Sequence, residues 1–175
     1  MTTEFSRLER LDTIGGEDRT ATIAADAAER AALARRFDLV AVERLEGEFA
    51  VRRDAAGVLV RGTVRAAVVQ ACSVTGDPLP ATIDERVALR FVAPGAGGDD
   101  EIELGSDSID TVELEGGGVD LGEVAAETMA LALDPFPRSA RAEAVLREAG
   151  VLSEEEAGPF GALAGLKAKL AAPKD

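Results

Sequence analysis

From Leu39 to Ala93 apolar and polar residues alternate with a period of two, the mark of strands with one dry and one wet face. The segment LVAVERLEGEFAVRR runs into Asp54-Ala55-Ala56-Gly57, a turn signal, and VLVRGTVRAAVVQ follows. In this second strand Val58, Val60, Val64, Ala66 and Val68 fall on one face, Leu59, Arg61, Thr63 and Arg65 on the other. After the turn CSVTGDPLP comes a third strand, where Ile83, Val87, Leu89 and Phe91 alternate with Asp84, Arg86, Ala88 and Arg90. The pattern predicts an antiparallel meander whose wet face carries Arg61, Arg65, Arg86 and Arg90. Whether those four line up depends on register.

Before the meander lie a strand-like start from Phe5 to Ile14, a Gly15-Gly16 turn, a strand at 20–23 and the helical run AAERAALARRF. Asp26 caps that helix, and Glu29 three residues later closes a capping box. After the meander, residues 94–118 read as a long acidic, Gly-rich loop broken by a short strand in IDTVEL, from Ile109 to Leu114.

The best-defined helix follows in GVDLGEVAAETMALALDPFPR. Asp120 is its N-cap, Glu123 its N3 residue in a capping-box arrangement, and Val119 with Val124 a hydrophobic staple. Leu121, Val124, Ala125, Thr128, Leu131 and Ala132 share one apolar face, widened by Met129 and Leu133. Asp134, ahead of Pro135, ends it. Another helix spans 139–149 and closes at Gly150. A tail over 151–175, with Phe160, Leu163, Leu166 and Leu170 in a thin stripe, reads as a loosely attached helix holding all the lysines.

The expected fold is therefore α+β. An antiparallel sheet of five or six strands, open or curled toward a barrel, is packed by two to four helices in a single domain over 1–150.

Composition narrows the chemistry. With 175 residues, 46% hydrophobic and 30% charged, the chain can bury an ordinary core. Six Phe and no Trp or Tyr leave that core aliphatic and offer little to stack on bases. No His and one Cys exclude His general-base catalysis, Cys/His zinc sites and an intramolecular disulfide. The start MTTEFSRLERLD has no apolar signal region, and no apolar run approaches about 18 residues, so a soluble, cytoplasmic protein is expected. Ala-rich composition and Arg in preference to Lys suit a bacterial source.

The net charge of −14 is uneven: no Lys or Arg lies between Arg90 and Arg138, and the acids there supply nearly all the imbalance. Asp120, Glu123 and Glu127 share a helical face away from the apolar stripe. Three readings of that face stay open: a capped, solvated surface, a docking site for a basic protein, or a carboxylate Mg²⁺ site of a hydrolase. The Arg face could grip nucleic-acid phosphates, or lie under the protein's own acidic loop. The overall charge opposes a polyanion. Cys72, without a His to activate it, reads as a small core residue.

Three pieces together resemble the YceD family, the large ribosomal RNA subunit accumulation proteins. The first is Cys72-Ser73-Val74-Thr75-Gly76-Asp77-Pro78 with a strand ending in Arg90-Phe91. The second is Asp107-x-Ile109-Asp110. The third is Val119-Asp120-Leu121-Gly122-Glu123, followed by Glu127, Leu131, Leu133, Pro135 and Pro137. The resemblance spans roughly 40–138. Here Gly76-Asp77 replaces the usual Leu-Glu, and the C-terminal cysteine cluster of many members is missing.

The resemblance implies a non-enzymatic accessory role in large-subunit biogenesis, with Cys72, Thr75, Pro78, Leu121 and Gly122 as structural motif residues. No metal, cofactor or membrane is called for. The expected partner is a basic ribosomal protein or assembly factor at Asp120, Glu123 and Glu127. The alternative is direct rRNA binding by Arg61, Arg65, Arg86 and Arg90.

Overall fold

The computed structural model describes residues 4–95, 109–114 and 116–151. Expectations for the tail, and for most of the acidic loop, lie outside these residues. The described chain forms two compact units.

The larger unit holds residues up to Gln70 and from Pro78 to Pro135. Its elements in chain order are β1 (Leu8–Arg10), β2 (Arg19–Ala24), α1 (Ala27–Arg36), β3 (Ala41–Asp54), β4 (Gly57–Ala71), β5 (Pro78–Val92), β6 (Asp110–Glu113), β7 (Gly118–Asp120) and α2 (Leu121–Leu131). The main sheet has the open order β2-β3-β4-β5-β6, while β1 and β7 form a separate antiparallel pair. The fold is α+β, and the sheet does not close into a barrel.

The meander is the predicted one. β3 pairs antiparallel with β4 across a turn in which the Asp54 carboxylate accepts the Ala56 N–H at 2.8 Å, and Gly57 takes φ +136°. Few L side chains tolerate that conformation. A six-residue connection between β4 and β5 is too short for a parallel crossover. β6 departs from the antiparallel expectation: it runs parallel to β5, Leu89 opposite Asp110 and Phe91 opposite Val112. The long stretch between β5 and β6 is what permits this.

Val58, Val60, Val64, Ala66 and Val68 are all buried, as the alternation requires. A bulge between Val42 and Arg44 shifts the parity of β3, so Val42 and Leu45 both reach the core. α1 and α2 pack against β3, and α2 also against β5. Their Leu33, Leu121, Ala125 and Met129 join Phe5, Phe49 and the strand valines in one hydrophobic cluster. The opposite sheet face carries the exposed Arg61, Arg65 and Arg86, but Leu59, expected among them, is buried outside the main cluster.

α1 carries the expected capping box, with Asp26 accepting from Ala28 and Glu29 and Glu29 returning to the Asp26 N–H at 2.8 Å. Such a cap contributes about 1 kcal/mol. α2 keeps only half of its box. Asp120 accepts from Gly122 and Glu123, whereas the Glu123 carboxylate turns away to Arg36. The buried face of α2 is also rotated from the expected one. Leu121, Gly122, Val124, Ala125, Ala126 and Met129 are buried, while Leu131 is 87% exposed. The helix ends at Leu131, before Asp134, and no described helix is long and apolar enough to cross a membrane.

The smaller unit, described over Ala71–Asp77 and from Phe136 to Val151, contains α3 (Ala142–Glu148), the helix expected over 139–149. Gly150 follows it with φ +78°.

Candidate functional site

The three acids singled out on α2 meet different fates. Asp120 is a hub of local structure. Beyond its two cap bonds it accepts from the Ser6 hydroxyl at 2.6 Å and the Arg7 N–H at 2.7 Å, fastening the N-terminal segment across the start of α2. Gly122 allows that approach, since a Cβ there would collide with the Phe5 carbonyl. Leu121 beside it is fully buried.

Glu123 receives both terminal nitrogens of Arg36 at 2.9 and 2.5 Å, and Arg36 also reaches Glu4 at 3.1 Å. Glu123 first, then burial and Glu4, set the Arg36 pKa, with the net effect of raising it. Arg7 makes a similar fork on Glu29 at 2.7 and 2.9 Å. Its guanidinium, ahead of the opposing effect of burial, holds the Glu29 carboxyl below its usual range. Only Glu127 of the three faces outward, on the exposed side of α2.

Glu127 borders a groove of about 520 Å³ between α2 and the β5–β6 edge. Val87, Val124 and Leu131 line it, with Asp110 and Val112 from β6 and Glu85 from β5. Arg86 is the one base among its lining residues. Val112 is 40% exposed, so groove and helix end together present apolar surface inside an acidic rim. Glu85 and Asp110 escape a reading of helical spacing because they join Glu127 only through strand pairing. The signal in the sequence is the apolar Val112 and Leu131 next to uncompensated acid.

Two of the four arginines predicted for the wet face are held in ion pairs. Arg65 pairs with Asp84 at 3.4 Å and stands opposite Glu46, while Arg90 pairs with Asp54 at 2.7 Å. The Arg90 bond, then the Ala56 N–H, lowers the Asp54 pKa. Asp84 and Arg90 are six residues apart along β5, or about 20 Å. Arg61 and Arg86 are exposed and make no ion pair among the described residues.

The smaller unit is organised by Cys72, 3% exposed. Its sulfur accepts the N–H groups of Ser139 at 3.2 Å and Thr75 at 3.4 Å, while its own N–H donates to Asp77 at 2.8 Å. Hydrogen bonding from Thr75, and then from the Ser139 N–H, pulls the thiol pKa down to about 6 against the effect of burial. Thr75 and Ser139 hydroxyls lie 3.3 Å apart and Arg141 pairs with Asp77 at 3.1 Å, so the motif residues build a tied turn. Pro78 then opens β5. Among the described residues no three Cys, Asp or Glu side chains gather as a metal site would require.

A family model described as large ribosomal RNA subunit accumulation protein YceD matches residues 60–167, starting inside β4 and reaching into the tail. Neither a curated protein nor a solved structure matches the chain.

Proposed function

This chain belongs to the YceD family of large ribosomal RNA subunit accumulation proteins, and we propose that it serves that process as a non-enzymatic accessory factor that binds a basic protein. The observation carrying this reading is the groove between α2 and β5–β6, where Glu85, Asp110 and Glu127 rim an exposed apolar floor. An acidic field favours encounter with a basic ribosomal protein or assembly factor, and the apolar floor gives the encounter a place to settle. Asp120 and Glu123 support this site from behind: their carboxylates are committed to the N-terminal segment and to Arg36.

Direct rRNA binding by the wet face is the weaker reading. Arg65 and Arg90 already face Asp84 and Asp54, and a net charge of −14 repels a polyanion.

Salt titrations on two variants separate the readings. Replacing Glu85 and Glu127 by Gln and Asp110 by Asn should slow association with a basic ribosomal protein and flatten its salt dependence. Replacing Arg61, Arg65 and Arg90, the arginines outside the groove, by Gln should leave that association intact. If the Arg variant loses rRNA binding while the acid variant binds basic protein normally, the accessory-factor site is wrong.

A further inference from the structure

We infer that the partner is taken up as an added strand: an extended segment alternating basic and apolar residues pairs with the outer edge of β6, its apolar side chains entering the groove beside α2. The inference rests on the basic-partner reading above and specifies how that site works. β6 is the last strand of the main sheet, and all of its residues are exposed. The Leu114 N–H donates to the Val92 carbonyl at 2.8 Å, which fixes which way the edge is turned. Main-chain groups alternate along a strand, so those of Val112 also point to β5. Those of Thr111 and Glu113 point away from it, and among the described residues no strand takes them up. An edge of this kind binds extended peptides through main-chain hydrogen bonds, with selectivity supplied by alternate side chains.

The side chains here select by charge and polarity. Asp110 and Val112 line the groove together with Leu131 and Glu127. Thr111 and Glu113 face the other side of the sheet by the same alternation. An added strand would therefore set its apolar row against Val112 and Leu131 and its basic row on the face of Glu113, while Asp110 and Glu127 at the groove rim add to the acidic field that draws it in. A second copy of this chain is disfavoured at the same edge, because pairing β6 with itself crowds Asp110 and Glu113 against like charges.

The probe is a short acetylated peptide alternating lysine and valine, with a matched peptide methylated on alternate backbone nitrogens. Wild-type protein should bind the first and not the second, and the amide hydrogens of Thr111 and Glu113 should exchange more slowly in the complex. Thr111→Pro removes an outward N–H and no sheet bond, a change edge strands tolerate, and it should weaken binding about tenfold with the melting temperature unchanged. Strand addition is overturned if the methylated peptide binds as well as the unmodified one, or if Thr111→Pro binds as wild type. Sedimentation showing a dimer that Thr111→Pro dissociates would also overturn it. In those cases loss of binding in the Glu85→Gln/Asp110→Asn/Glu127→Gln variant keeps the basic-partner reading. Unchanged binding in that acid variant contradicts both.

Discussion

Arg36, at the end of α1, closes a two-pronged hydrogen bond on Glu123 in the first turn of α2, across 87 residues of sequence. The pair ties the two helices that cover the sheet, and it places a positive charge beside a helix that has no base of its own. Both side chains are only partly exposed, so the pair is screened less than an ordinary surface ion pair. A double-mutant cycle with Arg36→Met and Glu123→Gln should give a coupling of about 1 kcal/mol in urea unfolding, smaller at high salt. A coupling of zero would mean that the fork contributes nothing to docking α1 on α2.

Gly122 should tolerate no side chain. The obstruction is the Phe5 carbonyl, a backbone atom that cannot rotate away, and Phe5 is itself in the core. Gly122→Ala should destabilise the fold by about 1–3 kcal/mol, although alanine is the better helix former. Urea midpoints decide the matter, and a stabilised variant would show that the N-terminal segment packs elsewhere.

Cys72 gives the fold a pH dependence near neutrality. Its folded pKa of about 6 lies below its ordinary value, so between the two values the unfolded chain holds the extra proton. Stability therefore rises with pH through that window, is complete above the ordinary thiol pKa, and is lost as pH falls through about 6. Thiolate absorbance in the ultraviolet should titrate near pH 6 in native protein and shift upward in denaturant. Cys72→Ala should flatten the pH dependence of the urea midpoint over the same range. A native thiol titrating at its ordinary value contradicts the hydrogen-bonded turn.

Interactions written over three or four residues were legible in the sequence. Asp26 with Glu29, Asp120 as a cap and the even-numbered valines of β4 each follow from local spacing, and the structure places them as spacing requires. Choices made by tertiary partners were not legible. Glu123 leaves its capping box because Arg36 offers a charged partner. Leu131 fits the apolar period of α2 yet stands in solvent, because the sheet beneath α2 stops at the short strand β6. β1 and β7 are too brief to show a period at all, and each is a strand only because the other is there. The same limit hid the site, since Glu85, Asp110 and Glu127 are neighbours only after the strands have paired.

The central claim is that the acid-rimmed groove, and not the arginine face, carries the role in large-subunit rRNA accumulation. The most direct measurement is the level of large-subunit rRNA in cells whose own copy is replaced by either variant. The Glu85→Gln/Asp110→Asn/Glu127→Gln protein should be folded and present, yet fail to restore accumulation, while the variant with Arg61, Arg65 and Arg90 replaced by Gln should restore it. Full accumulation with the acid variant, and loss with the arginine variant at equal protein level, would contradict the account.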